Sequence, residues 1–226
     1  MRGLSRRLSF PTLIVSCQAR ADNPLYGPQF MAAMAKAAEA GGAGGIRANG
    51  PEDVAAIRAV TELPILGLYK RWLEPYEVYI TPDFAAAQAI AEAGADILAL
   101  DATPRPRPQE GLAELIERIH TELGKPVCAD VSTLEEGLWA VELGADCVAT
   151  TLAGYTPYTL KTEGPDFALL RELVQALAVP VLAEGRFWTP EQVGRAFELG
   201  ADAVVVGTAI TNPREITRRL VRSVPR

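Results

Sequence analysis

Short apolar runs rich in Val, Ile, Leu and Ala recur along the whole chain, and most close on a polar residue or a glycine. Between them lie longer stretches in which apolar positions return every three or four residues. The runs read as strands over 13–18, 45–48, 65–70, 96–101, 127–130, 147–151, 181–184 and 203–206. Runs that are nearly continuous suit strands covered on both faces, as in a parallel sheet. The longer stretches read as helices over 29–40, from Pro51, over 84–93, up to Leu123, after Ser132 or Thr133, over 167–178, between the last two strands, and over 213–221. Pro51 suits a first helical turn, where its missing N–H costs nothing. Ser132 or Thr133 followed by Glu135 and Glu136 has the spacing of a helix-capping box.

An internal repeat sharpens this into an architecture. The pattern Gly-Ala-Asp followed by apolar residues begins at Gly94, Gly144 and Gly200, with a blurred copy over 40–47. A glycine closing a helix and an apolar run opening a strand explain each copy. The clear copies lie 50 and 56 residues apart, too long for one strand–helix pair and right for two. Four repeats therefore give eight pairs, and the expected fold is a single-domain α/β chain, a (β/α)8 TIM barrel. The domain spans 1–226, with 1–10 as a short N-terminal extension.

The strand ends carry the chemistry. Gln18, Arg47, Lys70, Asp101, Asp130, Thr150 with Thr151, and Glu184 close strands one to seven. In a parallel barrel these ends share one rim, where active sites lie. Each has an ordinary alternative, such as a loop cap for Asp101 or Asp130, or a rim ion pair for Arg47. Their joint occurrence at one rim favours a site. After strands seven and eight stand Gly185 and Gly207-Thr208, and glycine before a helix lets backbone N–H groups approach an anion. Two such junctions in succession point to a phosphate site.

Composition removes other classes. With 226 residues and a formal charge of −6, the chain lacks the basic excess of a general nucleic-acid binder. No apolar run reaches membrane-spanning length, and none of signal-peptide length follows the basic start, so a cytoplasmic location is expected. Cys17, Cys128 and Cys147 sit within apolar runs and read as buried free thiols. His120 is the lone histidine, on an outer helix, which leaves no histidine-built metal centre. No dinucleotide fingerprint follows strand one. What remains is a lysine, a glutamate and two aspartates beside a phosphate site. That set suits cofactor-free proton transfer next to a carbonyl, or Schiff-base chemistry at Lys70 in an aldolase or synthase. A non-catalytic phosphosugar-binding barrel is a further alternative.

Several segments go further. Lys70-Arg71, Val78 to Pro82, Ala99 to Thr103, Ala129-Asp130 to Glu136-Gly137, Thr150 to Leu152 with Gly154-Tyr155-Thr156, and Ala183 to Arg186 with Thr189-Pro190-Glu191 resemble the N-acylmannosamine-6-phosphate 2-epimerases of bacterial sialic acid catabolism. The resemblance implies conversion of N-acetylmannosamine 6-phosphate to N-acetylglucosamine 6-phosphate with no metal and no organic cofactor. It implies Lys70 as catalytic lysine and Glu184 as its acidic partner. It places Gln18, Arg47, Asp130 and Arg186 against the substrate or in the walls of the site. It also implies a homodimer to which the C-terminal helix contributes, with no nucleic-acid or membrane partner. Two departures stand out: Asn212, where the family carries arginine, and the more apolar loop Trp72 to Tyr76 after Lys70. A free lysine, with a pKa of about 10.4, is a poor base at neutral pH, so the reading requires burial and Arg47 to lower it.

Overall fold

The computed structural model describes residues 8–225. Strands β1 Thr12–Cys17, β2 Gly45–Asn49, β3 Ile65–Leu68, β4 Ile97–Asp101, β5 Val127–Asp130, β6 Cys147–Ala149, β7 Val181–Glu184 and β8 Ala203–Val206 close into a barrel in chain order. All neighbours are parallel, and β8 returns to β1 through Leu13 opposite Val204. Helices α1 Pro28–Ala40, α2 Pro51–Arg58, α3 Phe84–Glu92, α4 Leu112–Arg118, α5 Leu134–Glu142, α6 Phe167–Ala176 and α7 Pro190–Glu198 alternate with the strands. The short α8 Thr208–Thr211 and then α9 Pro213–Val221 follow β8. Of the expected N-terminal extension, residues 1–7 lie outside the described residues. Leu8 is buried against the foot of the barrel, where a Cβ on Gly45 would stand 3.1 Å from its side chain.

Two apolar layers explain the continuous runs. One set of strand residues, including Ile14, Leu66, Ile97, Cys128 and Val205, fills the barrel. The alternate set, including Ile46, Leu98, Ala129, Val181 and Val204, packs under the helices. All three cysteines are free and buried, as expected. Burial, with Asp53 adding to it, pushes the Cys17 thiol up to about 12, so it is an inert packing group.

The repeat turns out to be a device at the barrel's foot. Gly42, Gly94, Gly144 and Gly200 all take positive φ, 91, 108, 105 and 96°, at the close of α1, α3, α5 and α7. The first copy is therefore framed on Gly42. Asp96, Asp146 and Asp202 accept the N–H of Ile65, Val127 and Val181 at 3.0, 2.8 and 2.8 Å, fixing the start of the preceding strand. The first copy has Gly44 instead of Asp because a Cβ there would come within 2.0 Å of Thr12 Oγ1.

β3 and β6 each end two residues short of expectation at the rim, while β1 ends one short at Cys17 and β4 opens one late at Ile97. β3 stops at Leu68 because the chain folds back: Lys70 bridges Ile80 in antiparallel fashion, and Thr81 N–H donates to Tyr69 O at 2.9 Å. The Val78-Tyr79-Ile80 piece is the returning arm of that ribbon. Thr81, buried and at φ 44°, holds the turn by donating its hydroxyl to Ala99 O at 2.6 Å. A β-branched residue at positive φ is strained backbone of the kind found around sites. β6 stops at Ala149, and Thr150–Leu152 forms a 3-10 turn. There the Thr150 hydroxyl donates to Glu184 O and accepts from Glu184 N–H, both at 2.9 Å, in place of ladder bonds. The helix expected up to Leu123 becomes a π-helical turn over Ile119–Leu123 before Gly124. The expected capping box forms on Thr133 with Glu136. The helix expected over 167–178 ends at Ala176, with Leu177 extended ahead of Pro180.

Candidate active site

Strand alternation selects which rim residues point inward. Ile14, Leu66, Leu68, Cys128, Cys147, Ala149 and Leu182 belong to the interior layer. Counting on by two from these, Gln18, Lys70, Asp130, Thr151 and Glu184 fall in the same phase. In β2, Ile46 and Ala48 pack outward, so Arg47 between them points in. Lys70 follows β3 and Glu184 ends β7, half a turn apart in an eight-strand barrel, so they approach from opposite sides.

Arg47 is the hub. Its guanidinium meets Asp130 at 3.1 and 2.6 Å and Glu184 at 2.7 Å. Arg47 and Asp130 side chains are 1% and 0% exposed, whereas Glu184 retains 15%. Thr151 donates to Asp130 Oδ1 at 2.6 Å and lies 3.2 Å from Glu184 Oε2, tying the carboxylates together. Burial works against the Arg47 charge, but Asp130 and Glu184 outweigh it and hold its pKa above the ordinary value. Arg47 Nε has no acceptor among the described residues. A buried donor left open inside a site is placed to meet a ligand oxygen.

Lys70 is anchored at both ends. Its N–H donates to Asn49 Oδ1 at 2.8 Å and its Nζ to Gln18 Oε1 at 2.7 Å. Burial, then the Arg47 charge, lowers its pKa to about 8, with Glu184 and Asp130 opposing. Burial raises the Glu184 carboxyl to about 7 and Asp130 adds to this, while Arg47 and Lys70 pull it down. A base drawn down and an acid drawn up toward neutrality are chemically suited to proton transfer.

The remaining expected residues lie apart from this cluster or border it. Asp101 is fully buried and turned to the loop after β4, accepting from Thr103 Oγ1 at 2.7 Å and Arg105 at 2.7 Å. Arg107 bonds the Asp101 carbonyl, so Asp101 organises that loop. Arg186, at φ 59°, spends its guanidinium on Gly164 O at 2.8 Å, Ala153 O at 2.7 Å and Thr162 Oγ1 at 3.1 Å, pinning the loop after β6. Gly185 has φ 116° with open space where a Cβ would stand. A Cβ on Gly207 would lie 3.2 Å from Ser16 Cβ, so glycine lets the turn close onto β1. Thr208 opens α8, in which the Ile210 and Thr211 N–H groups donate to Gly207 O at 2.8 and 2.9 Å. His120 stands at the far end of the barrel, 2.8 Å from Asp146.

With this geometry, the comparisons with known proteins are specific. Residues 31–226 match the family model described as "Putative N-acetylmannosamine-6-phosphate epimerase". The chain belongs to this epimerase family. A relative from Caldanaerobacter subterraneus subsp. tengcongensis, named "Putative N-acetylmannosamine-6-phosphate 2-epimerase", is 53% identical over 92% of this chain and 89% of its own length. One of the same name from Thermosynechococcus vestitus is 56% identical over 88% of this chain and 87% of its own. A solved N-acetylmannosamine-6-phosphate 2-epimerase from Clostridium perfringens superposes with a TM-score of 0.93 at 46% identity, covering 96% of this chain and 95% of that one. A thiamine phosphate pyrophosphorylase from Pyrococcus furiosus, at 18% identity and a TM-score of 0.62, shares the barrel fold alone.

For this epimerase-family chain, sequence reasoning overlooked Asn49 and Tyr79 at the rim, and placed Thr150 there without its role. Asn49 is a polar strand end, hidden by ending β2 one residue early. Thr150 acts through the backbone of Glu184, which no strand pattern encodes. Tyr79 lies on the returning arm, and burial raises its hydroxyl pKa, with Asp130 and Asp101 adding to it.

Proposed function

We propose that the chain interconverts N-acetylmannosamine 6-phosphate and N-acetylglucosamine 6-phosphate by moving the proton on C2. The observation that carries this reading is Lys70, held at 2.7 Å by Gln18 with its pKa at about 8, across the barrel from Glu184 at about 7. Glu184 exchanges a proton with the ring oxygen as the sugar opens to its aldehyde. The carbonyl then acidifies C2–H. Neutral Lys70 takes that proton, and the C–H electron pair passes into the carbonyl to give an enolate. Arg47, with its open Nε, stabilises the oxyanion. The O1 proton replaces the one Glu184 gives to the ring oxygen, so Glu184 is again an acid and protonates C2 from the opposite face, completing the inversion. Proton exchange with water then returns Lys70 to neutral and Glu184 to its acid form. No metal or organic cofactor enters this sequence.

Gln18, Asp130 and Thr151 hold the groups that touch the sugar, while Gly185, Gly207 and Thr208 turn backbone N–H groups toward the phosphate. Asp101 and Arg186 shape the walls through the loops they secure. A phosphorylated substrate and buried reduced thiols suit the cytoplasm, which cell fractionation checks. Among the described residues, no helix is long and apolar enough to cross a membrane. We also infer a homodimer formed on α9, none of whose residues is buried.

The deciding experiment is turnover of N-acetylmannosamine 6-phosphate in deuterated water. Formation of N-acetylglucosamine 6-phosphate carrying deuterium at C2 is expected. Borohydride trapping of substrate on Lys70 would replace proton transfer by Schiff-base chemistry, and tight binding with no deuterium at C2 would leave a binding protein.

A further inference from the structure

The cations around the barrel mouth are nearly all committed. Arg47 is held by Asp130 and Glu184, Lys70 by Gln18, Arg186 by loop carbonyls, and Arg214 by Asp22 at 3.1 Å. Arg20 differs. It is exposed, and its side chain makes no hydrogen bond or ion pair among the described residues. Its placement is nevertheless fixed by its neighbours. Two residues before it, Gln18 receives the Lys70 ammonium at 2.7 Å. Its own carbonyl accepts Asn23 N–H at 2.9 Å, a turn that brings Asn23 Nδ2 to Asn212 Oδ1 at 3.3 Å. The segment carrying Arg20 therefore bridges the catalytic lysine's partner and the chain just after α8. Below it, Thr211 donates to Ser16 O at 2.8 Å and Gly207 packs on Ser16, so the β1 and β8 ends form one wall.

We propose that Arg20 is a ligand of the substrate phosphate, its guanidinium closing over the group held at the Gly207–Thr208 turn. This rests on the epimerase reading above. The backbone donors there carry only partial charge, and a phosphate dianion beside an overall acidic chain calls for a full one. Asn212, on the same wall, is engaged with Asn23 and caps α9 at Glu215 N–H, and it carries no charge. The Arg20 charge reaches the site, since it contributes to lowering Lys70. An exposed, unpaired arginine can swing in when the dianion arrives.

Titration calorimetry of the full chain with N-acetylglucosamine 6-phosphate and with unphosphorylated N-acetylglucosamine, alongside steady-state kinetics, tests this on Arg20→Gln and Arg20→Lys. Arg20→Gln is expected to weaken phosphosugar binding and raise KM by roughly tenfold or more, the worth of one charge-assisted hydrogen bond. It should leave kcat within about twofold and the weak binding of the unphosphorylated sugar unchanged, as one contact to a non-reacting group would. Arg20→Lys should recover part of the loss. Equal weakening for both sugars, or unchanged binding, overturns the proposal. A displaced acid limb of the pH profile at constant KM would make Arg20 a tuner of Lys70 and also overturns it. A wild-type chain that binds the phosphosugar without epimerising it sinks the epimerase reading while the binding arm still decides Arg20. Equal unfolding midpoints confirm that the variants are folded.

Discussion

Arg47 and Asp130 form a two-pronged ion pair, 3.1 and 2.6 Å, in which neither side chain is more than 1% exposed. Such a pair is costly to break, because the surviving charge has no solvent to turn to. Asp130→Ala should destabilise the fold by about 3–5 kcal/mol and abolish turnover. Arg47→Met with Asp130→Leu should recover most of the stability and none of the activity. Urea midpoints of the single and double variants check this, and equal midpoints for Asp130→Ala and wild type would contradict it.

Lys70 carries a different trade. Its folded pKa, about 8, lies below its unfolded value, so the unfolded chain binds the proton more tightly and stability rises with pH between the two. Below about 8 the folded state bears the cost of a half-buried ammonium. Lys70→Met should therefore end turnover while raising stability at neutral pH by about 1–2 kcal/mol. Thermal melts at pH 7 and the epimerase assay are the readouts. Residual epimerisation by a folded variant would remove Lys70 from the mechanism.

The pH profile follows from the same two groups. Lys70 must be neutral to take a proton, so kcat/KM climbs as pH rises toward about 8. Glu184 must be protonated to donate, so activity falls as pH passes about 7. A bell with its maximum between about 7 and 8 is expected. Glu184→Gln should lower the rate and abolish the alkaline limb. A wild-type profile flat from mildly acidic to mildly alkaline pH would contradict both assignments.

The phosphate should matter in proportion to the donors aimed at it. Unphosphorylated N-acetylmannosamine is expected to show kcat/KM lower by about a hundredfold or more, since charge-assisted hydrogen bonds contribute about 1.5–3 kcal/mol each. Competing the two sugars in one assay measures the ratio. Comparable efficiencies would reduce Gly185 and Gly207 to makers of turns.

Helix α9 leaves Leu220 and Val221 66% and 60% exposed, and Val224 just after it 63%. An apolar seam of this kind on a lone chain calls for a partner surface. Light scattering should give twice the 24.2 kDa chain mass at low and high loading, and deletion from Pro213 onward should yield monomer or aggregate. A strict 24.2 kDa species at both loadings would rule out the dimer.

By itself the sequence determined the barrel and the rim that carries its polar strand ends. Apolar runs buried on both faces, the Gly-Ala-Asp repeat and the polar strand ends are local patterns, and a period of two fixes which residues turn inward. That sufficed to bring Gln18, Arg47, Lys70, Asp101, Asp130, Thr150, Thr151 and Glu184 to one rim. Which polar side chain is spent on protein and which is left for a ligand lay outside its reach. Asp101 and Arg186 share the rim, yet Asp101 is spent on Thr103, Arg105 and Arg107 of its own loop and Arg186 on the distant loop after β6. The early ends of β3 and β6 depend on Ile80 of the returning loop and on the backbone of Glu184 in the neighbouring strand. The lowering of Lys70 by burial and Arg47 was expected, but only the closed barrel brings that arginine, from another strand, beside it. Local pattern sets where a side chain begins and which way it points; burial, pairing and pKa are sums over neighbours, and only the closed barrel decides who those neighbours are.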